Sequence, residues 1–226
     1  MENEKKVLRW GGLAGILAFI VWIIDMPIYV YVDPFIPGGL MRFPDVRLGL
    51  AVNTIFCMTT AFLSKAFVLV LYRVLRETSQ ALTLFGSVLS IIGYLGIALS
   101  DAFTFYAFAP LSDLYHAPGA TTETRVTVVI IWEAIQGMPH TFVFIGSLFL
   151  MIGFIAFGFA MLKAPVFSRR FGVMCIVFGG VGVVSVVFSL FVFETIGLMF
   201  LVDLIFLLTV GRKVYNLSKD PRSPQT

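Results

Sequence analysis

Long apolar runs separated by short polar segments make up most of this chain. The runs reach about 20 residues or more, the length at which an α-helix crosses roughly 30 Å of hydrocarbon. Six such runs predict six membrane-spanning helices, spans 1 to 6, at residues 10–32, 48–71, 82–105, 139–162, 171–193 and 195–212, followed by a polar tail over 213–226. The pattern therefore predicts an all-α, polytopic integral membrane protein, with a single domain over residues 1–226 that forms a six-transmembrane-helix bundle.

The apolar segment that contains span 4 is too long for one ordinary crossing. Residues 126–162 number 37 and carry no charge except Glu133, and as a helix they measure about 55 Å, nearly twice the bilayer core. Proline removes a backbone donor and clashes with the preceding turn, so Pro139 marks a natural division. We expect 126–138 to be an outer extension, either an interfacial helix or the first part of a long kinked helix.

The composition agrees with this pattern. Hydrophobic residues make up 59% of the chain and charged residues 13%, against about 45–50% and about 25% in an average soluble domain. A soluble globular protein is therefore a poor interpretation. The two connections on the outer side, 33–47 and 106–125, are rich in Pro and Gly, and we expect them to be loops that are too short to form domains.

The basic residues predict the orientation, because Lys and Arg near helix ends are retained in the cytoplasm. With the N-terminus inside, twelve of the 16 Lys and Arg residues fall on the cytoplasmic side, three fall outside, and Lys65 lies within span 2. Lys65 is close enough to the cytoplasmic end of span 2 to extend its ammonium group to the interface. We expect a multi-pass protein of the plasma membrane with both termini in the cytoplasm. The net charge of +3 then reflects topology, and no nucleic-acid partner is expected.

Polar side chains inside the spans are the candidates for function. A charged group at the bilayer centre costs around 2.5–3.5 kcal/mol even on the mild insertion scale, so such groups normally face the bundle interior or a watery cavity. The candidate ligand-binding residues, within the spans or near their outer ends, are Asp25, Asn53, Asp101, Glu133, Gln136, His140 and Asp203. Several belong to stripes at helical spacing, such as Asn53, Cys57, Thr60 and Ser64 in span 2.

Two interpretations of these residues stay open. Most of them fall in the outer half of the membrane, where they would line an outward-facing pocket for a cation, a proton or a small polar ligand, with His140 able to change charge near neutral pH. Alternatively, the aspartates are protonated or paired, cap irregular backbone near Pro27 and Pro139, and lock helix packing by buried hydrogen bonds. The first interpretation requires Asp25 to point inward, toward Asp101 and His140.

Enzymatic and metal-dependent functions have little support. The chain has two histidines, His116 and His140, too few for a membrane di-iron oxygenase or a bis-histidine haem spanning the bilayer. It has no HExxH, Gly-x-Ser-x-Gly, phosphate-binding loop or dinucleotide fingerprint. Cys57 and Cys175 are isolated and are expected to be buried free thiols. The sequence thus predicts no catalytic residue and no metal site, and it does not indicate a cofactor.

One segment resembles a known family. The stretch "GSLFLMIGFIAFGFAMLKAPVFSRRFGVMCIVFGGVGVV", Gly146 to Val184, places a basic turn between two helices with spaced glycines. In this it resembles the DUF4386 family of small multi-spanning prokaryotic membrane proteins. The turn is carried here by Lys163, Ala164, Pro165, Arg169, Arg170 and Gly172, although Pro165 comes earlier than in the family pattern. The resemblance implies a six-span fold, but the family has no established activity to carry over.

The glycines of spans 4 and 5 suggest close helix packing, because small residues let backbones approach where lipid gives no hydrophobic drive. They can serve the bundle itself, a second copy of the chain, or another membrane protein. Two functional hypotheses follow: a protein that binds or moves a small ligand, as in a transporter, and a structural or accessory subunit of a membrane complex. A lipid-facing glycine face on span 5 would favour the subunit. A cavity that touches Asp25, Asp101 and His140 would favour ligand binding.

Overall fold

The bundle is built from seven helical segments in the part of the chain that this computed structural model describes, residues 2–33, 35, 38–191 and 196–219. The helices are α1 (Glu2–Val32), α2 (Gly39–Leu75), α3 (Gln80–His116), α4 (Thr122–Ile135), α5 (Gly137–Lys163), α6 (Arg169–Phe188) and α7 (Ile196–Leu217). Helix α1 packs on α2 and α7, α2 also packs on α3, and α5 lies between α3 and α6. The all-α prediction is confirmed.

Within the described residues, five helical stretches are long and apolar enough to cross a membrane. They are Glu2–Val32, Gly39–Leu75, Gln80–His116, Thr122–Lys163 and Arg169–Phe188. Large apolar side chains stand on the outside of the bundle, as at Leu48 and Phe62, which are 79% and 75% exposed. Soluble monomers rarely present a contiguous apolar surface of this kind, so contact with lipid explains it. Helix α7 is a 22-residue helix with Asp203, Arg212 and Lys213 in its sequence, and its role as a sixth span stays a prediction.

Helices α2 and α3 are longer than the spans predicted from the sequence. Each has 37 residues, or about 55 Å of helix. Residues 39–47 and 106–116, expected to be loops, belong to these helices, which is a correction. The Pro and Gly content suggested loops, but Leu40, Phe43 and Val46 recur at a spacing of three and bury one helical face despite Pro44.

These extra turns form a second hydrophobic cluster at one end of the bundle. We call the region of residues 39–50, 105–116 and α4 the extended end. Phe43 of α2 and Phe108 of α3 both contact Trp132 of α4, with ring centroids 5.9 and 4.2 Å away. On its surface, Arg47 pairs with Asp113 at 2.7 Å. The segment 126–138 thus covers the ends of α2 and α3 through the buried ring of Trp132.

The break that divides this segment from span 4 lies at Gln136 and not at Pro139. Helix α4 ends at Ile135 and α5 begins at Gly137, so Pro139 is the third residue of α5. In the first turn of a helix the N–H groups have no intrahelical acceptor, and proline costs little there. The sequence therefore indicated the division correctly but placed it three residues late.

The spaced glycines bring helices into backbone contact within the chain. A methyl group at Gly93 of α3 would lie 2.6 Å from the Gly146 carbonyl oxygen of α5, and one at Gly146 would lie 2.8 Å from the Gly93 carbonyl oxygen. Gly158 of α5 and Gly172 of α6 are opposed in the same way, at 2.8 and 2.9 Å. Gly180 of α6 has nothing within 4 Å. Most of the glycines in the two glycine-rich helices are thus used inside the bundle.

Candidate functional site

A cavity of about 470 Å³ lies among α1, α2, α3, α5 and α7, in the half of the bundle nearer the extended end. Four of the seven candidate residues line it, each from a different helix: Asp25, Asn53, Asp101 and His140. Helix-by-helix spacing had grouped these residues only within single helices. The fold brings them to one space.

Asp25 belongs to the inward face of α1. It shares that face with Ala18 and Val32, seven residues to either side, which are also buried. Its side chain lines the cavity, it is 6% exposed, and its Oδ1 atom is buried without a hydrogen-bond partner. Asp25 lies near enough to Asp101 for the two carboxyl groups to interact electrostatically. The structure therefore places an unpaired acceptor of α1 beside the carboxyl group of α3.

Asp101 lies against the polar stripe of α2. The side chains of Asn53 and Cys57, one helical turn apart, both interact with its carboxyl group. The amide oxygen of Asn53 can only accept hydrogen bonds. That oxygen, Oδ1, is buried without a partner, and Asn53 is 1% exposed. The α2 wall thus offers a second unpaired acceptor.

His140 enters the cavity wall from the first turn of α5. Its ring lies 4.5 Å from the ring of Phe35, centroid to centroid, and the neighbouring Pro139 carbonyl accepts a 3.0 Å hydrogen bond from Ser100 Oγ of α3. This bond fixes the start of α5 against the middle of α3. Phe35 is held in turn, because its backbone N–H donates to Asp33 Oδ1 at 2.9 Å. His140, Phe35, Pro139, Ser100 and Asp33 all line the cavity.

Asp203 lies behind the cavity wall. It is fully buried in α7 and accepts a 2.6 Å hydrogen bond from the Tyr94 hydroxyl of α3. Tyr94 lines the cavity and Asp203 does not. The Oδ2 atom of Asp203 is buried without a hydrogen-bond partner. Asp203 therefore supports the floor of the cavity through Tyr94.

Glu133 and Gln136 do not join the group. Glu133 is exposed on α4, Gln136 is partly exposed at the break before α5, and neither is among the lining residues. The spacing from Glu133 through Gln136 to His140 defines one face only if the helix is continuous. Since the helix is interrupted at Gln136, the face that carries His140 is not the face that carries Glu133.

The sequence missed several lining residues. Tyr29, Asp33 and Phe35 all line the cavity. Tyr29 follows Asp25 by four residues and so falls on the same helical face, which was a usable signal. Asp33 was available as an acceptor for a turn at the end of α1, a common role for this residue type. Nothing in the spacing pointed to Phe35.

The lining is acidic. Asp25, Asp33 and Asp101 contribute carboxyl groups, and no Lys or Arg is found among the described residues of the lining. In the described part of the chain, no group of three His, Cys, Asp or Glu side chains is placed to hold a metal ion. Cys57 and Cys175 are both free thiols, as predicted, but only Cys175 is buried, since Cys57 is half-buried and lines the cavity. The chemistry of the site is that of hydrogen-bond acceptors beside an aromatic wall.

Comparison with known proteins does not assign this arrangement to a family. No family model, no curated protein and no solved structure matches the chain. The resemblance of Gly146–Val184 to the DUF4386 family therefore stays a prediction. The cavity itself is the basis on which function is argued.

Proposed function

We propose that the chain is a six-span integral protein of the plasma membrane whose cavity opens to the outer side and binds, or moves, a small polar or cationic ligand or a proton. The observation that carries this proposal is the convergence of Asp25, Asn53, Asp101 and His140, from four helices, on one cavity of about 470 Å³. Ligand pockets in proteins commonly measure about 300–1,000 Å³. The cavity has the size and the convergent polar groups of such a site.

The orientation in the proposal comes from the distribution of charge. The three basic residues expected outside, Arg42, Arg47 and Arg125, all belong to the extended end. The opposite ends of the helices carry most of the remaining Lys and Arg. Helix α7 then serves as the sixth span and returns the C-terminus to the cytoplasm. Membership of the DUF4386 family is part of the same proposal, supported by the Gly146–Val184 segment.

The unpaired atoms favour a ligand over a purely structural lock. A buried polar atom without a partner costs about 1–3 kcal/mol, and a polar network that served packing alone would gain by pairing them. Asp25 Oδ1 and Asn53 Oδ1 instead have no protein partner, and both residues line an open volume. Water or a ligand is the natural occupant of a polar cavity of this size.

The accessory-subunit alternative receives less support from the glycines. That hypothesis needs a glycine face on α6 that is free for a partner, and Gly172, Gly179 and Gly182 are instead in close contact with α5. Gly180 alone of the α6 glycines meets open space. A single small residue gives little surface for a second membrane protein or a second copy of the chain.

Native mass spectrometry of the protein in a gentle detergent tests the proposal. We expect a bound small molecule on the wild-type chain that is lost from Asp101→Asn. Asp113→Asn, on the exposed surface of the same helix and outside the cavity, is the matched control and should keep it. A stoichiometric protein partner, no small molecule, and unchanged behaviour of Asp101→Asn would overturn the proposal and favour the subunit.

A further inference from the structure

The unpaired oxygens on the cavity wall define which hydrogen-bonding partner is missing. Asn53 Oδ1 can only accept, and Asp25 Oδ1 accepts whenever its carboxyl group is ionised. Both are buried and lack a partner, and they stand on neighbouring helices, α1 and α2. The Thr60 hydroxyl on the same wall also has no hydrogen-bond partner, and its oxygen can accept a hydrogen bond. A ligand that satisfies this wall must present hydrogen-bond donors.

The charge of the lining selects against anions. Three carboxyl groups line the cavity, and among the lining residues that the structure describes His140 is the one basic side chain. Two arginines of the extended end have other partners: Arg42 donates to the Tyr31 carbonyl at 2.8 Å, and Arg47 pairs with Asp113. The interaction between Asp25 and Asp101 is repulsive when both are ionised, and a cation placed beside them offsets that repulsion.

The remaining walls are aromatic and aliphatic. Trp22 of α1 and Phe200 of α7 meet edge to face, with ring centroids 5.3 Å apart, and both line the cavity with Tyr29, Phe35 and Tyr94. Aromatic faces attract ammonium groups and accommodate apolar bodies. A bare inorganic ion would leave these walls unused.

Resting on the proposed function, we infer that the ligand class of this cavity is a protonated primary or secondary amine with an apolar body. Its N–H groups donate to Asp25 Oδ1 and Asn53 Oδ1, and its body packs against Trp22 and Phe200. A quaternary ammonium carries the charge but has no N–H donor, so it leaves the Asn53 oxygen unpaired. The amine is defined here by charge, donors and shape together.

Equilibrium binding to the full-length protein in lipid nanodiscs tests this assignment. The probe is radiolabelled 2-phenylethylammonium, and empty nanodiscs correct for partition into the bilayer. Three competitors separate charge from hydrogen-bond donors: 2-phenylethanol has no charge but keeps one donor, N,N,N-trimethyl-2-phenylethylammonium keeps the charge but has no N–H donor, and 3-phenylpropanoate has the opposite charge and no donor. We expect the probe to bind saturably. Each competitor should have an affinity lower than that of the unlabelled amine by about tenfold or more, the factor that a hydrogen bond to a charged group contributes.

Variants locate the binding in the cavity. Asp25→Asn should lower the affinity for the probe by about tenfold or more. Asp45→Asn, which removes an exposed carboxylate of the extended end, should bind the probe with wild-type affinity. If Asp25→Asn is not monodisperse, Asp101→Asn takes its place: it removes the carboxylate of α3, and its affinity for the probe is compared with that of Asp45→Asn in the same way. Competition by 2-phenylethanol equal to that of the unlabelled amine, or wild-type affinity in both cavity variants, would overturn the amine assignment and leave a binding cavity. Failure of all four compounds to bind saturably would overturn the amine assignment alone, because the proposed function is tested separately by native mass spectrometry with Asp101→Asn.

Discussion

The Tyr94 hydroxyl donates a 2.6 Å hydrogen bond to Asp203 Oδ1, which joins α3 to α7 directly beneath the cavity. Both residues are buried, and Tyr94 is also part of the cavity floor. A carboxyl group that no ligand can touch therefore helps to determine the shape of the site. Its contribution is to hold an aromatic wall in place.

Tyr94→Phe should lower the stability of the protein. It removes the hydroxyl partner of a fully buried aspartate and leaves that carboxyl oxygen unpaired, at a cost of about 1–3 kcal/mol. Thermal unfolding in detergent measures the effect. Tyr106→Phe, at a position that is 73% exposed, is the matched control and should unfold like wild type. Equal melting temperatures for the two variants would contradict a stabilising role for the bond.

Gly146→Ala should also destabilise the bundle. The added methyl group would lie 2.8 Å from the Gly93 carbonyl oxygen and 3.1 Å from the Ile97 nitrogen, and backbone atoms have little freedom to yield. Overpacking of this kind costs about 1–3 kcal/mol. Gly180→Ala adds the same group in the middle of α6 with nothing within 4 Å, and helix propensity should make it neutral or stabilising. If thermal unfolding showed the reverse order, the proposed packing of α3 on α5 would be wrong.

Cys57 should report the charge of the cavity. It lines the cavity, whereas Cys175 is 1% exposed and packs against Met161 Sδ at 3.7 Å. We expect a cationic methanethiosulfonate reagent, the 2-aminoethyl compound, to label Cys57 several-fold faster than the anionic 2-sulfonatoethyl compound, because Asp25 and Asp101 attract the cation. Mass spectrometry of the labelled protein gives both rates.

Two serine variants identify the labelled thiol in that experiment. Cys57→Ser should abolish the fast reaction, and Cys175→Ser should retain it. Identical rates for the two reagents at Cys57 would show that the lining carries no effective negative charge.

Trp132→Ala should destabilise the extended end far more than removal of the surface ion pair between Arg47 and Asp113 does. Trp132 is 4% exposed and stacks on Phe108 at 4.2 Å, so its truncation should cost about 3–5 kcal/mol. Asp113→Asn removes the exposed pair with Arg47 and should cost less than about 1 kcal/mol. Chemical denaturation followed by tryptophan fluorescence compares them, with Trp10 and Trp22 as remaining reporters in Trp132→Ala. A larger loss for Asp113→Asn would contradict the buried cluster.

The helical fold could be predicted because the apolar runs are long and the charges lie between them. Val32 was expected to end span 1 and does end α1. The extended end was missed because prolines and glycines were taken as loop signals, while Pro44 and Pro110 in fact lie inside helices. Tertiary burial of Phe43 and Phe108 outweighs the local cost of those prolines, and burial of that kind is not visible in a local pattern.

The sequence predicts which residues share a helical face, and to that extent it predicted the site. The step of four from Asn53 to Cys57 correctly put both on one stripe, and that stripe reaches Asp101. Which stripes oppose one another depends on helix packing, so the sequence could not separate Asp25, which lines the cavity, from Asp203, which lies behind Tyr94. Glu133 was grouped with His140 by spacing, and the interruption at Gln136 separates them.

Where Gly93 meets Gly146, the backbones of α3 and α5 touch with no side chain between them. Such a contact resists rotation of either helix about its own axis, since any turn would drive a neighbouring side chain, such as Leu150, into the opposing main chain. Helices α1 and α7 pack on each other and supply Asp25 and Phe200 from the other side of the cavity. The α3–α5 pair, which supplies Asp101 and His140, therefore holds these two lining residues at a fixed spacing.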